Sequence, residues 1–285
     1  MIAISKAIGE GTLQLISKGI ATPKLDAEIL LAHTLKIQRE MLFIKLNDKI
    51  CEEDYTSFMD LIEVRKTQKP IARILGSKEF WSLNFKLGPA TLIPRPDSET
   101  LVEETLNFIY KKSIKEGTIL DLGTGTGCLL LSLLSECPNL KGVGIDKSID
   151  AVKIAVDNAN NLHLKERVKF MEGSWEDGLP VGCNEFDIII SNPPYITTSD
   201  MKDLMDEVKN FDPSLALEGG QDGLDHYKII IPKAFECLKV GGGLLFEIGV
   251  GQEKSVSNLL KEAGFNNIEQ KKDLAGKIRV VEGQK

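Results

Sequence analysis

Residues 191–195 read Ser-Asn-Pro-Pro-Tyr and follow the apolar run Phe-Asp-Ile-Ile-Ile at 186–190. A strand that ends on Asn192 carries an amide acceptor at its tip. Pro193 and Pro194 have a fixed φ and no N–H, so the chain holds their carbonyls in set directions. Two acceptors, the Asn192 side chain and the Pro193 carbonyl, can take both hydrogens of a planar –NH2 group and aim its nitrogen. Tyr195 adds a ring against which a flat group packs. Read alone, the same tetrapeptide is also a plain stop for a strand.

A second motif, Asp-Leu-Gly-Thr-Gly-Thr-Gly at 121–127, lies between an apolar run and a helical one. Its glycines at 123, 125 and 127 let a backbone turn sharply and approach a ligand. The dinucleotide fingerprint needs a glycine where Cys128 stands, and no Gly-Lys-Ser/Thr follows as in a phosphate loop. Asp146 ends the next strand, about 20 residues on, where a carboxylate accepts both hydroxyls of a ribose. Gly123, Thr124, Gly125, Thr126, Gly127 and Asp146 together therefore point to an adenosine-type ligand, with no Lys or Arg in the loop for a phosphate. Trp175, in Gly-Ser-Trp at 173–175, either stacks on the base or is a rim tryptophan.

These residues need a scaffold. From Thr118 onward strands and helices alternate, which predicts a doubly wound parallel sheet of the α/β class. The fourth strand then lies beside the first across the switch point, so Asn-Pro-Pro-Tyr borders whatever the glycine loop holds. The closing segments Asn-Asn-Ile-Glu-Gln-Lys-Lys-Asp-Leu and Lys-Ile-Arg-Val-Val-Glu read as an antiparallel hairpin on the sheet edge. Residues 1–75 have helical periodicity and predict a small bundle, with Thr22 capping a helix that begins at Pro23. Residues 76–95 alternate like a β-hairpin linker, with a turn starting near Ser82–Asn84, and 96–285 form the α/β domain. Asp97 or Ser98 is the expected cap of the helix that runs to about Lys112.

Five scattered cysteines (Cys51, Cys128, Cys137, Cys183, Cys237) and three histidines far apart argue against a disulfide framework or a metal site, so no metal is expected. No apolar run is long enough for a membrane span, and the first ten residues lack a basic head followed by an apolar stretch; a cytoplasmic protein is expected. Residues 1–75 carry net +1 and the remainder net −8. An acidic α/β domain is poorly suited to tracking phosphates, so no stable nucleic-acid partner is expected.

Taken together, the glycine loop, Asp146 and Asn-Pro-Pro-Tyr resemble the class I S-adenosylmethionine-dependent methyltransferases that act on planar nitrogens. Glu-Phe-Trp-Ser-Leu-Asn-Phe, Leu-Ile-Pro-Arg-Pro-Asp-Ser-Glu and Phe-Asp-Pro-Ser-Leu-Ala-Leu-Glu-Gly-Gly-Gln-Asp-Gly-Leu are similar to the HemK/PrmC family over nearly the whole chain. That family methylates the glutamine of the Gly-Gly-Gln motif in peptide chain release factors, at translation termination. The resemblance implies a seven-stranded Rossmann-like sheet and S-adenosylmethionine as methyl donor, leaving S-adenosylhomocysteine. It implies donor contacts at Gly123 to Gly127, Asp146, Trp175 and Asn192. It implies glutamine contacts at Asn192, Pro193, Pro194 and Tyr195, with Asn192 and Pro193 catalytic. The helical domain would dock the release factor, and a monomer is expected. The sequence departs from the family at Ser174, where many relatives carry an acid, and in Pro-Arg-Pro-Asp-Ser-Glu, usually Pro-Arg-Pro-Glu-Thr-Glu.

An amide nitrogen is a poor nucleophile because its lone pair is conjugated, and no histidine or carboxylate lies within Asn-Pro-Pro-Tyr. Alignment rather than base strength is the expected catalytic device. The competing readings are an adenine amino methyltransferase of DNA or RNA, which shares Asn-Pro-Pro-Tyr, and a binding module that senses S-adenosylmethionine without turnover.

Overall fold

The computed structural model describes residues 1–175 and 184–285. By its internal contacts the chain divides into two units, Met1–Gly76 with Asp206–Phe211, and Ser77–Met205 with Asp212–Lys285.

The first unit is helical. It contains β1 (Ile2–Ala3), α1 (Ile4–Ile16), α2 (Pro23–Thr34), α3 (Arg39–Ile44), β2 (Lys49–Ile50), α4 (Glu52–Lys66) and α5 (Ile71–Leu75). The two short strands pair antiparallel, a detail that helical periodicity does not carry. Ala7, Leu15, Ala27, Leu30, Leu31, Phe58 and Ile62 recur at helical spacing and fill its core. Thr22 precedes α2 as expected, but its hydroxyl donates to Asp26 Oδ1 at 2.8 Å instead of accepting from a backbone N–H. Asp26 is thereby tied into a buried ion pair: Arg65 Nε donates to its Oδ2 at 2.7 Å, both side chains being almost fully covered. Arg65 Nη1 donates to the Lys69 carbonyl, and Nη2 to Glu207 of the returning segment, which includes α9 (Asp206–Lys209).

The second unit opens with β3 (Ser77–Phe80) and β4 (Leu83–Lys86), an antiparallel hairpin. Its turn is Trp81-Ser82, both at positive φ (51° and 58°), one residue before the expected start. That geometry matches the twist of the two strands better than a turn at Ser82–Asn84. Phe80 and Phe85 are buried in this unit's core. The sheet then builds from β5 (Gly117–Leu122), β6 (Leu140–Asp146), β7 (Val168–Glu172), β8 (Phe186–Ser191), β9 (Leu238–Glu247), β10 (Asn266–Lys272) and β11 (Ile278–Gln284). Their order is β10-β11-β9-β8-β5-β6-β7, with β11 antiparallel to both neighbours and β5 to β9 parallel throughout.

Because successive side chains in a strand alternate between faces, the buried runs split between two cores. Ile119, Ile188, Ile190 and Leu245 join α6 (Glu99–Lys111) and α7 (Cys128–Glu136) on one face. Leu120, Ile189, Leu244 and Phe246 join α10 (Asp225–Cys237) and α11 (Glu253–Glu262) on the other. Helix α8 (Ile149–Asn161) is capped by Ser148, whose hydroxyl accepts from Ala151 N–H. Helix α6 is not capped by the side chain of Asp97 or Ser98. Pro96–Ser98 forms a 3-10 turn instead, which leaves the Ser98 hydroxyl facing Asn192.

Removing one member of a buried ion pair leaves the other uncompensated. Arg65→Ala should lower the stability of the helical unit by about 3–5 kcal/mol. Denaturant unfolding followed by circular dichroism reads this, and an unchanged midpoint would mean that Asp26 does not depend on Arg65.

Candidate active site

The site lies at the carboxyl ends of β5, β6 and β8, where parallel sheets leave a crevice. A crevice open to solvent lies there, lined by residues of all three strand ends. Of the residues singled out by the sequence, Gly123, Thr124, Gly125, Thr126, Asp146, Trp175, Asn192 and Pro194 line it. Gly127, Pro193 and Tyr195 do not.

All three loop glycines have positive φ (76°, 55° and 77°), a region that side chains disfavour. The loop is held from several sides. Gly123 and Thr124 N–H both donate to the Ile145 carbonyl, and Asn158 Nδ2 donates to the Thr126 carbonyl. Asp146 accepts from Gly125 N–H at 2.8 Å through Oδ2 and from Ser148 N–H at 2.9 Å through Oδ1. Each oxygen keeps a further lone pair for a diol. Burial raises the Asp146 pKa, and those two N–H groups pull it back down. Gly127 caps α7 and packs against Leu131 and Phe170, which accounts for its position behind the lining.

Trp175 is almost covered, and its ring lies against Gly123. Its Nε1 donates to His226 Nδ1 at 3.2 Å, with the rings edge to face. His226 Nε2 lies 3.1 Å from the Glu218 carbonyl. A neutral imidazole protonated at Nε2 satisfies both bonds. Lys233 Nζ donates to the Trp175 carbonyl. Ser174 is buried beside it.

Along Asn-Pro-Pro-Tyr the residues alternate, Asn192 and Pro194 toward the cavity and Pro193 and Tyr195 off its lining. The Tyr195 ring packs on the core that holds Phe246 and Tyr227, and burial pushes its hydroxyl up to about 12. Among the described residues the Pro193 carbonyl takes no hydrogen bond. The segment is clamped from behind by the Leu-Glu-Gly-Gly-Gln-Asp-Gly-Leu stretch. Gly219 N–H donates to the Ile196 carbonyl, and Gln252 Nε2 donates to the carbonyls of Tyr195 and Gly223. A Cβ on Gly219 would come within 2.7 Å of the Pro194 carbonyl, and one on Gly223 (φ +72°) within 2.4 Å of the Tyr195 carbonyl. Those glycines are required by close packing under the motif.

Two buried carboxyl groups lie behind the lining. Asp121 Oδ2 accepts from Thr124 Oγ1 at 2.6 Å, while its Oδ1 takes no hydrogen bond from any described residue. Burial raises Asp121 to about 7, against the lowering effect of Thr124. Glu247, at the end of β9, is likewise pushed up to about 7 by burial, with Ser98 lowering it. Sequence reasoning missed Glu247, Ser98 and His226. The one available signal for Glu247 was a carboxylate inside the apolar run Gly-Leu-Leu-Phe-Glu-Ile of a strand buried on both faces.

Comparison with known proteins gives two matched families. One, described as a methyltransferase domain, matches residues 114–282; the other, a PrmC N-terminal domain, matches residues 6–76. The release factor glutamine methyltransferase of Rhodospirillum rubrum is 39% identical over 280 residues, covering 98% of this chain and 84% of that protein. The protein of the same name from Vibrio cholerae is 40% identical and covers 99% and 97%. Among solved structures, a methyltransferase from Pyrococcus furiosus superposes with a TM-score of 0.51 at 16% identity, over 73% of this chain and 91% of that one, a likeness of fold. Among the described residues no helix is long and apolar enough to cross a membrane, and no group of three or more His, Cys, Asp or Glu side chains is arranged to hold a metal ion.

The carboxyl groups set a pH dependence. Asp121, Glu247, Asp146 and Glu282 all have native pKa values raised above their ordinary ones. The folded state therefore binds more protons than the unfolded state between about pH 4 and pH 7, and stability is lost as pH rises through that window. Asp222, Glu269 and Asp273 are lowered and act below it. The midpoint of thermal unfolding of the ligand-free protein should fall by at least a few degrees from pH 5 to pH 8. A rising midpoint over that interval would contradict ionisation of these groups in the folded state.

Proposed function

The chain belongs to the family of the release factor glutamine methyltransferases, and we propose from this that it methylates the side-chain amide nitrogen of the glutamine in the Gly-Gly-Gln loop of peptide chain release factors. The observation that carries the reading is Asn192, a strand-end amide facing the cavity that the glycine loop and Asp146 also line.

The residues present fit S-adenosylmethionine. A cradle of glycines at positive φ, a carboxylate with spare lone pairs and an indole suit the backbone approach, the ribose and the base respectively. Gly123 to Gly127, Asp146, Trp175 and Asn192 would hold it, with Gly127 acting through the shape of the loop. When bound, it supplies an electrophilic sulfonium methyl group and leaves as S-adenosylhomocysteine.

The chain's own part is to hold the amide. Asn192 Oδ1 accepts one hydrogen of the glutamine –NH2; the Pro193 carbonyl, without a hydrogen bond among the described residues, accepts the other once the amide reaches past the lining to it, which turns the nitrogen's lone pair toward the methyl group. The same acceptors stabilise the positive charge that grows on nitrogen. An N-methylated amide cation is strongly acidic, so its proton departs without a tuned base. Pro194 packs against the amide, and Tyr195 sets the backbone of the motif from the core side. The helical unit is the docking element for the body of the release factor, since a glutamine between small residues offers little else to recognise. The protein acts as a cytoplasmic monomer in this reading.

Purified protein with radiolabelled S-adenosylmethionine should label a release factor and not its Gln→Ala loop variant; label entering nucleic acid instead would move the chain to the other Asn-Pro-Pro-Tyr enzymes. Asn192→Ala should lower kcat by about 100-fold or more, the scale for misplacing a reacting group, with much smaller loss of donor binding. Near-normal turnover in that variant would remove Asn192 from the role. His226→Leu should weaken donor binding several-fold while sparing kcat at saturation, because Trp175 loses its Nε1 partner. Isothermal calorimetry measures this, and an unchanged Kd would detach His226 from the donor site.

A further inference from the structure

The Asn192 side chain can face the substrate in two ways, with Oδ1 or with Nδ2 forward. Only the first accepts hydrogens from an amide –NH2. In the structure Nδ2 points back, donating to Ser98 Oγ at 3.4 Å. A single long bond to a hydroxyl, itself able to donate or accept, is weak control over a rotor on which the chemistry depends.

The sheet places a stronger group beside it. β8 and β9 are parallel and pair Ser191 with Phe246. One step further along both strands, Asn192 and Glu247 stand side by side and project to the face of Ile190 and Leu245. Glu247 is 2% exposed, and its Oε2 takes no hydrogen bond from any described residue. A buried carboxyl oxygen without a partner is costly and calls for an explanation. The Asn192 amide and the Ser98 hydroxyl face this carboxyl group and lower its pKa. Arg279 and Asp97 also face it, with Tyr195, Tyr227 and Cys128 acting at longer range. Glu247 is absent from the cavity wall, whereas Ser98 and Asn192 line it.

We infer that Glu247 is a positioning residue: its buried carboxyl group, with Ser98, holds the Asn192 –NH2 inward so that Oδ1 stays turned to the substrate nitrogen. The inference rests on the reading that Asn192 aims the glutamine amide. It explains why a strand buried on both faces ends in a carboxylate that the cavity never meets. In ionised form the carboxylate also polarises the Asn192 amide, so that more negative charge sits on Oδ1, opposite the charge that develops on the substrate nitrogen.

The test is a double-mutant cycle on the full chain with release factor as substrate. Glu247→Met keeps the volume and removes the acceptor; kcat should fall up to about 100-fold, while KM for the release factor and Kd for S-adenosylmethionine stay within about twofold. Glu247→Gln keeps a carbonyl acceptor and should recover much of the loss. Asn192→Ala combined with Glu247→Met should be no slower than Asn192→Ala alone, because both remove one interaction. Losses that multiply, or wild-type kcat in Glu247→Met, overturn the inference while leaving Asn192 in its role. Near-normal kcat in Asn192→Ala would instead overturn the reading beneath it. Should Glu247→Met fail to bind the donor, nuclear magnetic resonance of the unmutated protein decides. The Asn192 side-chain –NH2 signal, assigned by its loss in Asn192→Ala, should move with pH around 7 and stay still in Glu247→Gln. A signal that ignores pH in the unmutated protein overturns the inference.

Discussion

In-register pairing of β8 between β5 and β9 is the constraint on which the site depends. Asp121 is paired with Ile190, Leu122 with Ser191, and Ser191 with Phe246. Parallel strands keep side chains of one register level on one face, so this pairing alone brings Asp121 and, one level further along, Asn192 beside Glu247 to the same side of the sheet. A slip of one residue in β8 would turn Asn192 into the opposite core and bring Pro193 to the cavity. The three consecutive isoleucines at 188–190 prevent that slip weakly, being apolar on both faces. The polar groups at the strand ends, with Ser191 Oγ donating to the Leu122 carbonyl at 2.7 Å, fix it more firmly.

The cost of this arrangement falls on the folded state. Asp121 and Glu247 are both nearly or wholly buried carboxyl groups with one oxygen unpaired among the described residues, and desolvation outweighs their hydrogen bonds. Neither residue is needed for the core, where an apolar side chain of like size would be more stable. Their presence at the carboxyl edge, against the continuous apolar runs of the central strands Ile188–Ile190 and Leu244–Phe246, follows the expectation that a protein departs from its own packing rules where it does chemistry.

Much of this was legible in the sequence. The alternation of strands and helices from Thr118, the glycine spacing at 123, 125 and 127, Asp146 and Asn192 are local patterns, and local patterns survive without coordinates. The residues that escaped notice depend on distance in space. Ser98 reads as a helix cap and becomes a neighbour of Asn192 because Pro96 winds a 3-10 turn ahead of α6. Glu247 reads as one polar residue in an apolar strand, and its meaning lies in the register with β8. His226 lies 51 residues from the tryptophan it holds. The Tyr195 ring was expected on the substrate side; the alternation of the motif turns it to the core, where Gly249 makes room for it.

The chain passes between its two units at 76/77, 205/206 and 211/212. The short stretch between the last two crossings is anchored by Glu207 on Arg65, while its flanks carry Asn-Pro-Pro-Tyr on one side and Asp212, bound to Arg95, on the other. The helical unit is therefore not an appendage strung on the amino end. Excising it would strand a piece of the catalytic chain without its anchor, and grafting another domain in its place would have to supply a new one. Recombination between relatives is expected to exchange the two units together or not at all, because the crossing at 205/206 and 211/212 ties each to the chain of the other.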